Sequence, residues 1–311
     1  MLSTKDRCVN LSQKAGWAQP SGTQAILEGT EGEKVKDLHG KVAVVTGGGS
    51  GIGAGMVRAF AEAGMHVVVA DIEVDRAEAI ARQVADNGQG AIAVDVDVTD
   101  YSSVVALADR AFGEFGTVHL LCNNAGVMLS GPMLNLKVED WHWVFEVNVF
   151  GVVHGIYAFV PRMITQDGEA HIVNTASMSS FSDGRYHSPY TASKHACGVI
   201  TEALRGEMAE HGIGVSGLYP GGVATDIMNS QRNRQPRYGD PTSFEIAPSR
   251  ASGEMAADVM EPIDVGRLVR QAVIDNAAWI FTHPHWLQQY AEGRWEEIRS
   301  AAADQARERG D

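Results

Sequence analysis

The chain predicts an α/β fold, a single doubly wound parallel sheet with helices on both faces. Three observations carry this. Short Val-rich runs, KVAVVT (41–46), HVVVAD (66–71), GAIAVDVDVTD (90–100) and VHLLCNNAG (118–126), alternate with helix-like stretches of ten residues or more. The runs are continuously apolar rather than alternating, as strands buried on both faces must be. Each run ends in glycine, acid or amide residues, so the polar chemistry falls on one edge of the sheet. Strand, helix and parallel strand in succession imply right-handed crossovers.

The elements follow in order. After the first strand come glycines and the helix-like GAGMVRAFAEAG (53–64). A helix rich in Ala, Glu and Arg (75–86) follows the second strand, and SSVVALADRAFGEFG (102–116) follows the third. Residues from Glu139 to about Met163 read as one long helix carrying Trp141, Trp143, Phe145 and Phe150. AHIVNTAS (170–177) is a fifth strand, Tyr190 to His211 a helix stopped by Gly212, and VSGLYPGG (215–222) a sixth strand. From Thr225 to Pro262 the periodicity fails, and an excursion of this length predicts a functional loop, a lid around 226–262. A helix (264–275), the strand WIFTH and a charged helix complete the chain. Residues 1–36 are polar and aperiodic and read as a flexible extension, leaving 37–311 as the folded domain.

Of 311 residues, 44% are apolar, enough for one large core. The formal charge of −14 argues against nucleic acid and anionic membrane surfaces as partners. Cys8, Cys122 and Cys197 fit no disulfide or metal framework, and the latter two sit in apolar runs as buried thiols. No apolar run approaches the roughly 20 residues of a membrane span, and the N-terminus lacks the order of a signal peptide. A reducing, cytoplasmic setting is expected.

TGGGSGIG (46–53) lies at a strand-to-helix turn. Gly47, Gly51 and Gly53, with Ser50 and Ile52 between them, would let a pyrophosphate approach free N–H groups at a helix N-terminus. Asp71 ends the second strand 24 residues after Gly47, where an acid accepts hydrogen bonds from an adenine-ribose diol and repels a 2′-phosphate. NAD is therefore expected rather than NADP. Asp97 and Val98 would meet the adenine. Asn123, Asn124, Ala125 and Gly126 would border the crevice.

Tyr190 and Lys194 are four residues apart on a predicted helix, hence on one face, and Ser177 lies thirteen residues before the tyrosine. A tyrosine with a pKa of ~10 is a poor base near neutrality. A cation beside it is expected to pull the value down. Together with TGGGSGIG, this spacing points to hydride transfer between a nicotinamide and a carbon bearing oxygen.

TGGGSGIG, DVTD (97–100), NNAG (123–126), IVNTAS (172–177), YTASK (190–194) and PGGVAT (220–225) resemble, in order, the motifs of the short-chain dehydrogenase/reductase family. The likeness runs from about Lys41 into the C-terminal region. It implies a Rossmann-type domain acting on a secondary alcohol or ketone. It assigns Tyr190 as general acid/base, and Lys194 to hold the nicotinamide ribose and lower the tyrosine pKa. Ser177 would donate to the substrate oxygen, and Asn148 would hold a water linking Lys194 to solvent. Pro220, Gly221, Val223 and Thr225 would lie along the nicotinamide. The family's long helices pair between subunits, so a homodimer or homotetramer is implied. FVPRMI (159–164) and RYGDPT (237–242) are similar, more narrowly, to bacterial Cα-dehydrogenases of lignin-derived aryl ethers.

Met228, Tyr238, Phe244, Ile246 and Met255 in the excursion, with Met178 and Phe181 beside Ser177, predict an apolar pocket for a bulky hydrophobic or aromatic secondary alcohol. Arg232, Arg234 and Arg237 read as a solvated charged loop. His283 and His285 lack a third metal ligand and read as a loop or interface pair, so no metal is expected. The alternative is a catalytically silent NAD-binding sensor or scaffold of the same fold, against which the Asn148, Ser177, Tyr190 and Lys194 set counts.

Overall fold

The computed structural model describes residues 35, 37–86, 88, 90–240 and 258–309. Seven strands form one parallel sheet: β1 (Val42–Thr46), β2 (His66–Asp71), β3 (Ala91–Asp95), β4 (Leu120–Asn123), β5 (His171–Thr175), β6 (Gly214–Tyr219) and β7 (Trp279–Phe281). The spatial order is β3-β2-β1-β4-β5-β6-β7. It reverses direction between β1 and β4, which opens a crevice at their C-terminal ends. Every residue of β1 is buried, because helices cover both faces.

On one face α1 (Gly51–Glu62), α2 (Val74–Ala85) and α7 (Pro262–Asp275) bury Met56, Phe60, Ile80, Val265 and Val269 against the sheet. Val35 and Leu38 join this layer. The expected extension, residues 1–34 and 36, lies outside the described residues. On the other face α3 (Tyr101–Phe115), α4 (Val138–Phe145), α5 (Gly151–Thr165) and α6 (Ser188–Met208) bury Leu107, Trp143, Phe159 and Leu204. The last helix, α8 (Leu287–Arg309), is charged and presents no buried residue.

The structure departs from sequence expectation at several points. The long helix is interrupted: Glu146–Phe150 is a π-helical turn between α4 and α5. Such turns recur at functional sites, and this one holds Asn148. By length and composition Val138–Thr165 passes as a possible membrane span, contrary to the reading of the apolar runs, yet more than half of its most apolar window is buried inside the domain. β3 ends at Asp95, so Asp97 and Val98 belong to the loop after it. Tyr238 is buried in the helical-face core rather than in the pocket. Phe181 turns to the sheet edge, 5.2 Å from Tyr219 and 6.0 Å from Phe281 between ring centroids. Phe244, Ile246 and Met255 lie outside the described residues, as does Cys8. Cys122 and Cys197 are free, buried thiols.

Candidate active site

Seventeen of the twenty catalytic and cofactor candidates singled out from the sequence line one cavity of about 420 Å³ at the crevice, Asn123 being one of the three that do not. Gly53 and Asn148, the other two, shape it from behind. A Cβ on Gly53 would sit 1.9 Å from the Gly47 carbonyl oxygen, so a side chain there would force the turn apart. Gly47 has φ +65° and faces the Ala125 backbone at 2.9 Å from where a Cβ would be, so both conformation and space demand glycine. Ser50, the N-cap of α1, makes no capping hydrogen bond with its side chain, which leaves the first N–H groups of the helix facing the cavity.

Asp71 is buried, and burial raises its pKa against two backbone donors that lower it. Oδ2 accepts from Gly49 N and Oδ1 from Glu73 N, both at 2.9 Å. Each oxygen keeps a lone pair for a further donor. Asn124 stitches the neighbouring strand ends together: Nδ2 donates to Thr46 O at 3.0 Å, and Oδ1 accepts from Thr175 Oγ1 at 3.2 Å. Asn123, expected at the crevice, is instead buried and donates to Asn174 Oδ1 at 2.9 Å.

At the other end stand Ser177, Tyr190 and Lys194, all buried. The first turn of α6 presents the tyrosine, and the lysine follows one turn later on the same face. Lys194 Nζ donates to Thr175 O at 2.7 Å and lies 5.8 Å from the Tyr190 ring centroid. Burial pushes the lysine pKa down. The tyrosine departs from expectation: its pKa is raised, with burial as the main cause and a hydrogen bond from Ser177 opposing it. Desolvation of the phenolate outweighs that single hydrogen bond. Ser177 Oγ also accepts from Ser179 N at 3.1 Å.

Asn148 is almost fully engaged. Oδ1 accepts from Val127 N at 2.8 Å, and Nδ2 donates to Val127 O at 2.9 Å and to Ser193 Oγ at 3.0 Å. One lone pair on Oδ1 is all its amide has left to offer a water.

Sequence reading missed four features. Glu73 holds Arg232, with Nη2 to Oε2 at 2.8 Å, and Asn233 at 3.1 Å. Arg232 therefore bridges from the segment after β6 to the β2 end. Arg234 is not solvated: it is buried against buried Asp140 at 2.7 Å, with Cζ 5.2 Å from the Trp143 ring centroid. Arg237 lies 3.6 Å from Asp97, whose Oδ2 accepts from Gln235 Nε2 at 3.0 Å. Tyr290 of α8 lines the same cavity, though no motif marks it. A helix 100 residues after the catalytic-type tyrosine carries no local signal of where it docks.

Of the expected pocket side chains, Met178 and Met228 line the cavity, joined by Met128. Thr225 packs its methyl over Gly51, at the glycine turn. His283 is buried and stacked on Trp286 at 4.3 Å, and both His283 and His285 face Asp258. Among the described residues no group of three or more His, Cys, Asp or Glu is placed to hold a metal ion.

Residues 41–236 match the sequence profile of the short chain dehydrogenase family, and the chain belongs to that family. It is 35% identical over 255 residues to a Cα-dehydrogenase of a Sphingobium species, covering 80% of this chain and 83% of that one. It is 36% identical over 248 residues to a 1-deoxy-11-beta-hydroxypentalenate dehydrogenase of Streptomyces avermitilis, covering 79% and 86%. The crystal structure of a short-chain dehydrogenase/reductase from Burkholderia phymatum in complex with NAD superposes with a TM-score of 0.77 at 36% identity, over 85% of this chain and 96% of that one. The chain is thus an oxidoreductase of a family whose dehydrogenases act on alcohols.

Proposed function

We propose that this enzyme transfers hydride between NAD and a bulky hydrophobic or aromatic secondary alcohol or its ketone, with Tyr190 as general acid/base. The observation that carries the reading is the placement of Ser177, Tyr190 and Lys194 on the wall of a cavity whose far end holds Asp71. The Cα-dehydrogenase and hydroxypentalenate dehydrogenase relatives, and the NAD complex of the structural neighbour, support it.

The residues present fit the dinucleotide. Gly47, Ser50, Gly51 and Ile52 would cradle the pyrophosphate at the α1 N-terminus. Asp71 would take the ribose diol, and its charge would oppose a 2′-phosphate. Bound NAD+ supplies the hydride acceptor and a positive ring that favours the phenolate. Tyr190 removes the carbinol proton, or returns it to a ketone. Ser177 donates to the substrate oxygen as charge develops there. Lys194 holds the ribose and keeps a cation beside the phenol. Asn148 acts chiefly by fixing Val127 and Ser193 and so the floor beneath Lys194. Met128, Met178 and Met228 suit an apolar substrate body, since Met adapts to irregular shapes.

Phe150, Tyr157 and Val199 are exposed on the outer face of the π turn, α5 and α6. They support assembly into a homodimer or homotetramer through this face, and sedimentation of a Tyr157→Glu variant as a smaller species would bear this out.

The test is NADH formation at 340 nm across aryl, alicyclic and short aliphatic secondary alcohols. The expected result is turnover with NAD and bulky alcohols, reduced by about 10²- to 10⁴-fold in Tyr190→Phe. Undiminished turnover in that variant would remove Tyr190 from the mechanism.

A further inference from the structure

Tyr290 reaches the cavity from a helix that otherwise faces solvent. Its position is set by a stack. Trp286 packs against Gly221 and Gly222, where a Cβ on Gly221 would lie 2.7 Å from the indole. Tyr290 lies nearly parallel on Trp286, at 6.4 Å and 15°. The ring also packs with the cluster that contains Met178. Tyr290 is therefore held beside Met178, on the wall of the cavity that also carries Ser177 and Tyr190.

The charged residues lining the cavity, Asp71, Glu73, Asp97, Asp226 and Arg232, are tied by their partners to the adenosine side. Beyond those residues and Lys194, the rest of the lining is uncharged, Met128, Met178, Met228, Val127, Val147 and Trp143 among it. The Tyr290 hydroxyl has no hydrogen-bond partner among the described residues, and burial raises its pKa, so it stays a neutral donor and acceptor.

Resting on the alcohol-oxidation reading above, we infer that Tyr290 is a specificity-determining residue that hydrogen-bonds a second, uncharged oxygen on the substrate, away from the reacting carbinol. The substrate class is then a secondary alcohol whose aryl body carries a hydroxyl, ether or carbonyl oxygen. An apolar pocket alone discriminates weakly, whereas a placed polar group separates the oxygenated substrate from its plain analogue.

The test uses Tyr290→Phe, which keeps the ring and its stack and removes only the hydroxyl. The probes are 1-phenylethanol and the three 1-(hydroxyphenyl)ethanol isomers, for kcat, KM and the pH profile. The matching acetophenones are titrated onto the enzyme–NADH complex by fluorescence, which needs no turnover. The expected result is that KM and the ketone dissociation constant for at least one hydroxylated isomer rise about 3- to 10-fold in the variant. 1-Phenylethanol should keep its KM, kcat and pH profile. An equal shift for plain and hydroxylated probes would make Tyr290 a packing residue, and a moved pH profile would make it act through Tyr190. Either result overturns the inference, as does a wild-type enzyme that shows no preference for any oxygenated ketone or binds none. Oxygen-dependent ketone binding lost in Tyr290→Phe, without oxidation of any alcohol, would uphold the inference while refuting the alcohol-oxidation reading.

Discussion

The two ends of the cavity are built differently. The end proposed for the adenosine stands on strand termini: Gly47 follows β1, Asp71 closes β2, and Asn124 ties β1 to β5. Its polar groups are fixed by backbone donors and by a sheet buried on both faces. The end proposed for the alcohol is assembled from pieces distant in sequence: the loop after β5, the segment after β6 from Ile227 to Tyr238, and Tyr290 of α8. Side chains hold it in place, chiefly the buried pair Arg234–Asp140 and the ion pair of Arg232 with Glu73. Recognition of a constant cofactor tolerates a rigid frame, whereas a variable substrate is met by segments that can change without disturbing the sheet.

The comparison can be broken at the lid root. Arg234→Ala removes the guanidinium from buried Asp140, which also accepts from Lys137 N at 2.8 Å, and denaturant titration should show a loss of about 3–5 kcal/mol. Arg234→Met, which fills the space but also takes the guanidinium away from the acid, should recover little of that. If stability hardly changes, the lid is not anchored by this pair.

At the rigid end, Asp71→Ser removes the acceptor for the ribose diol. NAD affinity should fall by about 1.5–3 kcal/mol, and the preference for NAD over NADP should narrow, measured as the ratio of kcat/KM values. A preference left intact would place cofactor selection elsewhere.

Acid provides a control away from both ends. His171 is buried at the opposite edge of the sheet with Nε2 2.7 Å from Ser216 Oγ, and burial lowers its pKa to about 3. The unfolded chain binds this proton below about pH 6.5 and the folded protein does not. Stability is therefore complete above that pH and falls as pH drops towards 3, by up to about 1.4 kcal/mol per pH unit. His171→Asn should flatten this slope in urea titrations between pH 6.5 and 4. Activity titrations of Tyr190 are then best read above pH 6.5, where fold stability does not intrude.

The smallest effect joins the two ends. Glu73→Gln weakens the hold on Arg232, a partly exposed pair worth at most about 1 kcal/mol. NAD release should speed up by about two- to fivefold in stopped-flow displacement, more at low salt than at high. Equal release rates at both ionic strengths would separate the lid from cofactor release.

Most of the adenosine end was legible because its signals are local. A glycine turn, a strand-closing acid and NNAG each act within a few residues of where they occur, and the order of short Val-rich runs dictates the sheet. Tyr190 and Lys194 were legible for the same reason, since four residues along a helix set one face. What misled was environment. Tyr238, Phe181 and Arg234 have the composition of pocket or solvent residues, yet they are packed in the core, at the sheet edge and against Asp140, because neighbours from distant segments claim them. Asn123 and Asn124 are chemically identical and adjacent; the pleat turns one into the core and the other to the crevice.

By itself, the sequence determined the parallel sheet, the edge on which the crevice opens and most of the residues that gather there, because periodicity and short spacing encode these directly. Only the tertiary structure decided that the long helix breaks into a π turn at Asn148, that burial drives the Tyr190 pKa upward, and that Tyr290 lines the cavity. Each of these depends on desolvation or contact between residues far apart in the chain, which no local pattern specifies.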